Sequence, residues 1–175
     1  MRATLLSALL LLSACATASP MAGPAASPMP QSAATASAPM SADQQAVMAT
    51  ITRLFDGMRA ADTTVMRSTF HPSARLQTTG IRDGAPVVQS VPIDRFLAGI
   101  ARPHDEVYDE RIWNTEVRVD DNLAAAWMNY AFFVGERLSH CGVNAFQLFR
   151  APAGWRIIQI VDTRRQQGCE TPAAS

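Results

Sequence analysis

The stretch "GVNAFQLFRAPAGWRIIQIVDT", Gly142 to Thr163, decides what kind of fold this chain can make. Two runs rich in aromatic and branched aliphatic residues flank Ala151-Pro152-Ala153-Gly154, where proline and glycine stand at turn spacing. That pattern predicts a β-hairpin in which Arg150 faces Trp155. Counting back along the same register puts Cys141 opposite Arg164 and Asp162 roughly opposite Val143. Cys169 lies further on, so the chain must turn back, at Gly168, for the two cysteines to meet.

Outward from the hairpin, Glu110 to Val119 and Leu123 to Val134 read as two more long strands, broken at Asp120-Asp121-Asn122 and around Gly135. The chain before them is different. Val47, Met48, Ile51, Leu54, Phe55 and Met58 recur at helical spacing, after a capping box that runs from Ser41 to Gln44. Asp62 caps a second, shorter helix that carries Val65, Met66 and Phe70 and is stopped by Pro72. Ala74 to Thr79 and Pro86 to Val91 are short strands around Asp83-Gly84, and Ile93 to Ala101 is a third helix. Helices first and a sheet last is an α+β arrangement, the sheet expected to be antiparallel.

The N-terminus reads as an address. One early charge, Arg2, precedes an uncharged apolar run from Leu5 to Leu12, too short for a permanent membrane span. Leu12-Ser13-Ala14-Cys15 has the form of a bacterial lipobox, which makes residues 1–15 a signal peptide and Cys15 the lipidated residue. Ala16 after the cysteine favours an outer-membrane anchor facing the periplasm; the alternative is ordinary secretion, with cleavage after Ala18. Residues 16–42, almost wholly Ala, Ser, Thr, Pro, Met and Gly, read as a disordered tether. The folded domain is expected over 43–169 and a short disordered tail over 170–175.

Export also decides the cysteines. With Cys15 lipidated or removed, Cys141 and Cys169 remain as a pair in an oxidising compartment, which points to a disulfide. A metal site would need three or four ligands, and Cys141 has only His140 beside it. Formal charge is zero, and all 15 basic residues are arginine, so lysine Schiff-base chemistry is excluded. The arginines are scattered, with no nucleic-acid footprint. No Gly-rich phosphate loop, paired-histidine metal motif or Gly-x-Ser-x-Gly elbow is present, and no cofactor is expected.

Two phrases carry a resemblance. Phe70-His71-Pro72-Ser73-Ala74-Arg75-Leu76 resembles the helix-to-strand junction of the nuclear transport factor 2-like superfamily. Gly154-Trp155-Arg156-Ile157-Ile158, followed by Asp162-Thr163-Arg164, resembles its last turn and strand. With the order of elements, the likeness spans Asp43 to Arg165 and is to the SnoaL-like and lumazine-binding-like branches, in a secreted lipoprotein form. It implies a cone, with N-terminal helices packed on a strongly curved sheet around an apolar pocket. It also implies a homodimer through the open sheet face.

Pocket chemistry follows from that frame. Ketosteroid-isomerase-like members carry an acid near the end of the first strand; here Gln77 and Thr78 hold that place and cannot ionise. No Asp-Arg-Asp set of the epoxide-hydrolase-like kind can be matched. His140, Asp162 and His71 are the catalytic candidates, whereas His104 is expected in an exposed loop. Trp127, Tyr130, Phe132, Phe146 and Trp113 are the candidate ligand-binding residues. Strand alternation separates Trp127 from Tyr130 and Phe132, and the sequence leaves open which set lines the pocket. The expectation is a non-catalytic domain that takes a small apolar ligand or an envelope protein partner. Its rival is a lyase, isomerase or hydrolase with a His/Asp pair.

Overall fold

The computed structural model describes residues 39–172. The signal peptide with Cys15, and the tether up to residue 38, lie outside the described residues. Helix α1 (Ala42–Arg59) starts at the expected box: Ser41 Oγ accepts from Gln44 N at 3.2 Å, and Gln44 Oε1 from Ser41 N at 2.8 Å. Val47, Ile51, Leu54, Phe55 and Met58 form its buried face. In α2 (Thr63–Thr69), the Asp62 side chain accepts from Thr64 N and Val65 N. Phe70, expected on this helix, already begins strand β1 (Phe70–Arg82). Pro72 has no N–H for a helical bond and its ring holds His71 extended, so the helix ends before both.

The remaining elements are β2 (Ala85–Val91), α3 (Ile93–Ile100), β3 (Tyr108–Asp120), β4 (Leu123–Val134), β5 (Arg137–Ala151) and β6 (Gly154–Thr163). They form one six-stranded sheet in the order β2-β1-β6-β5-β4-β3. It is mixed rather than wholly antiparallel, because β1 runs parallel to β6. That pairing joins segments about 80 residues apart, Leu76 to Ile160 for example, and no local turn signals it.

Among the antiparallel pairs, extra residues interrupt the ladders at three places: Asn114-Thr115 in β3, Ser139 in β5 and Ile158 in β6. Each bends its strand and flips which residues face inward. Asn114 takes φ 51°, the left-handed region that such a kink requires. Before this bulge Tyr108 and Ile112 face the core; after it Val117 and Val119 do. The bulge at Ile158 also shifts the hairpin register. Arg150 faces Trp155 as expected, but Asp162 falls opposite Asn144 and Cys141 opposite Arg165, each one place from the simple count.

The inner face of the sheet packs on α1. Ala126, Met128, Phe146, Leu148, Ile157 and Ile160 meet Val47, Ile51, Leu54 and Phe55. Phe55 and Phe146 meet edge-on at 6.2 Å between ring centres, an arrangement that adds about 1 kcal/mol beyond burial. A smaller cluster lies on the other face: Ala131, Phe133 and Cys141, flanked by Trp113, Leu138 and Cys169. Cys141 and Cys169 are joined as a disulfide with Cα atoms 5.6 Å apart, and Gly168, at φ 63°, makes the return. Arg165 pairs with Cys141 through two backbone bonds of 2.9 Å, which fixes the start of that return.

Candidate functional site

Between α1 and the inner face of the sheet lies a cavity of about 300 Å³. Leu54, Phe55 and Met58 of α1, Phe96 of α3, and Phe146 and Ile160 of the sheet supply apolar walls. Glu110 from β3, Asn144 from β5, and Asp162 and Arg164 at the end of β6 supply polar groups, with Thr78 and Gln89 beside them. Aliphatic and aromatic walls with a few convergent polar groups are the usual make-up of a small-molecule site.

Glu110 is the least expected member. It shares the inward face of β3 with Tyr108 and Ile112, so alternation alone sends a carboxyl into the fold. Asn144 Nδ2 donates to Glu110 Oε1 at 2.6 Å. The residue keeps some accessible surface, yet protein surrounds it densely enough that burial pushes its pKa up to about 7. The Asn144 bond holds it down in part, while the negative charge of Asp162 adds to the rise. A carboxyl in that range can give or take a proton near neutral pH.

Asp162 is 8% exposed. Its Oδ2 lies 3.3 Å from the Tyr130 hydroxyl and 3.5 Å from Arg164 Nη2, and its Oδ1 is buried without a hydrogen-bond partner. The Tyr130 hydroxyl also stands 2.9 Å from Thr163 O, so one proton serves two acceptors. Burial, then the charge of Asp162, pushes the Tyr130 pKa far above the ordinary phenol value, which keeps this hydroxyl a donor. Gly142 makes the approach possible: a Cβ there would sit 1.9 Å from Thr163 O and 2.8 Å from the Tyr130 ring.

The sequence-derived candidates separate into groups. Phe146 lines the cavity, as does Asp162. Tyr130 faces inward but lies behind the lining, tied to Asp162 and Thr163. Phe132 also faces inward, stacked on His140 at 4.9 Å and away from the cavity wall. Trp113 and Trp127 do not line the cavity. Both occupy the outer face: Trp113 packs beside the disulfide cluster, and Trp127, 54% exposed, stands over a shallow groove with Glu116, Arg118 and Gln147. The strict alternation of β4 forces this split, because Met128 and Tyr130 take the core side.

Neither histidine candidate reaches Asp162. His140 Nδ1 pairs with Ser139 Oγ at 3.1 Å, and the ring meets Tyr130 edge-on at 5.8 Å. Burial, then the nearby Arg164 charge, holds the His140 pKa down to about 4, so the ring is neutral at ordinary pH. His71 binds locally, its Nδ1 2.8 Å from Ser73 Oγ and accepting from Ser73 N at 3.2 Å. His104 is packed rather than exposed: its ring stacks on Tyr108 at 4.0 Å, and Nδ1 lies 2.6 Å from Glu106 O. Two carboxyl groups, Glu110 and Asp162, thus line the hollow, and neither His140 nor His71 does. Glu110 carried a signal in the sequence, a charged residue between inward Tyr108 and Ile112; its contact with Asn144 across an intervening strand carried none.

The helix-backed bent sheet and its interior cavity define the nuclear transport factor 2-like class of fold. Within that class, the family described as "Putative lumazine-binding" matches residues 42–161, and the chain belongs to it. Solved structures agree on the fold. A protein of unknown function from Shewanella baltica, described as NTF2-like, aligns with a TM-score of 0.56 at 16% identity, over 70% of this chain and 94% of its own. An NTF2-like protein with a cystatin-like fold from Novosphingobium aromaticivorans aligns at 0.57 and 14% identity, over 73% and 84%. A protein from Streptomyces avermitilis, described as a "putative dehydratase" from the NTF2-like family, aligns at 0.55 and 17% identity, over 71% and 96%. A search of curated sequences returns no significant match.

Proposed function

We propose that this domain binds a small, mainly apolar molecule in the Glu110 cavity. One observation carries the reading: an interior space of about 300 Å³, walled by Phe55, Phe96, Phe146 and Ile160, on which Glu110, Asn144 and Asp162 converge. A core that only needed packing would fill that space with side chains. Chemical-shift mapping with 2-naphthalenemethanol tests it. Shifts should concentrate at Phe55, Asn144, Phe146 and Ile160; shifts confined to the Trp127 groove, or none, would remove the reading.

A second reading has a specific observation behind it. Glu110, pushed up to about 7, suits general acid–base work on an apolar substrate, as in a lyase or isomerase. The sequence-derived version relied on His140 or His71 with Asp162; Glu110 takes the place of the imidazole. Deuterium exchange into an acidic C–H of the native ligand, abolished in Glu110→Gln, would establish catalysis. Binding without exchange leaves the domain a binding module.

The cellular setting belongs to the same proposal. Cys15 carries lipid and anchors the chain to the outer membrane, facing the periplasm, where the partner is the small ligand or another envelope protein. Labelling with a fatty-acid analogue, lost in Cys15→Ser, tests the anchor. The exposed Trp127 face joins two copies as a homodimer, and Trp127→Glu should leave only monomer by light scattering.

A further inference from the structure

Resting on that binding reading, we infer that the ligand of the Glu110 cavity carries a hydrogen-bond donor, an amine or a hydroxyl, that is met by Asp162, and that carboxylate-bearing analogues are excluded. The hydrogen bonds already made around Asp162 lead there. One Asn144 amide N–H is committed to Glu110, which leaves its second N–H and its carbonyl oxygen. The Tyr130 hydroxyl proton is committed to Thr163 O and Asp162 Oδ2. The Asp162 side chain is 11% exposed and lines the cavity, yet Oδ1 is buried and receives no hydrogen bond within the protein. Buried carboxylate oxygens without a donor are costly, and a donor brought by a ligand would remove that cost.

Charge gives the same sign. Two carboxyl side chains, Glu110 and Asp162, line the space against one guanidinium, Arg164, whose side chain is 53% exposed and already turned to Asp162 at 3.5 Å. An incoming carboxylate would meet Asp162 at close range, and above pH 7 an ionised Glu110 as well, with only a solvent-screened cation to offset them. A neutral or cationic donor meets two acceptors. Asp162 is then the residue that selects the ligand, and the apolar walls set only its size and shape.

A matched set on one skeleton tests this with the full chain: 2-methylnaphthalene, 2-naphthalenemethanol, 2-naphthylmethylamine and 2-naphthoate, titrated by NMR. The alcohol and the amine should bind about tenfold tighter than 2-methylnaphthalene, and 2-naphthoate about tenfold weaker. Asp162→Asn should cut the amine's advantage by about tenfold while leaving 2-methylnaphthalene within about twofold of wild type. The order found with the wild-type protein decides the matter even if that variant does not fold. Naphthoate binding as tightly as the alcohol would overturn the inference, and so would an amine advantage unchanged in a folded Asp162→Asn. Should 2-methylnaphthalene enter the cavity and the donors add nothing, this inference alone falls. Should no member of the set enter, the binding reading falls with it.

Discussion

Asn144 Nδ2 donates to Glu110 Oε1 across 2.6 Å, and the bond joins strands β5 and β3, which are not neighbours because β4 lies between them. It supplies a donor to an acid that burial would otherwise leave without one. Replacing Asn144 by Leu removes that donor. Above pH 7, where the Glu110 carboxyl is ionised, the loss should cost roughly 2 kcal/mol, and near pH 5, where it is protonated, much less. Urea unfolding at the two pH values checks this; an equal loss at both would show that the bond does not serve the charged form.

Glu110 and His140 should impose opposite pH gradients on stability. The Glu110 pKa rises from 4.5 to about 7 on folding, so the folded state holds the proton longer. Its contribution is therefore most favourable below 4.5 and falls as pH rises through 7, by about 3 kcal/mol in all. The His140 pKa falls from 6.5 to about 4, so the unfolded state protonates first. Its contribution is complete above 6.5 and falls as pH drops towards 4. Between 4.5 and 6.5 the two oppose each other. The unfolding free energy of Glu110→Gln should rise with pH across that window, and that of His140→Phe should fall.

Gly142 has no room for a methyl group. An added Cβ would stand 1.9 Å from Thr163 O, a backbone atom that cannot rotate away. Gly142→Ala should therefore cost more than about 2 kcal/mol and displace the Tyr130 hydroxyl from Thr163 and Asp162. Thermal unfolding measures the first effect. The tyrosine absorbance titration measures the second, because a loosened Tyr130 should ionise at lower pH.

The disulfide holds the segment after β6 to β5. Cys141 and Cys169 are 28 residues apart, and a loop of that size corresponds to about 3.6 kcal/mol of stabilisation. Cys141→Ser with Cys169→Ser should lose roughly that amount in denaturant unfolding. Alkylation of the unreduced protein should label neither residue, and two freely labelled thiols would contradict the bond.

Local signals carried most of the secondary structure. The capping box at Ser41, the Asp62 cap and the Pro152-Ala153-Gly154 turn each act within a few residues, and each was readable. What escaped acts at a distance. The parallel pairing of β1 with β6 has no turn to announce it. The single extra residue at Ile158 moved Asp162 from Val143 to Asn144, and that one-place shift set Asp162 beside a polar neighbour. Aromatic residues drew attention to β4, where alternation sends Trp127 outward. The chemistry lies on Glu110 and Asn144, which come together only once three strands are in register.

The titration of the Glu110 carboxyl, followed by carbon NMR on the folded protein, tests the central claim most directly. A midpoint near 7 would place a proton-exchanging acid inside the cavity. A midpoint at the ordinary value of 4.5 would mean that water reaches this carboxyl freely, and neither the cavity nor its chemistry would stand as described.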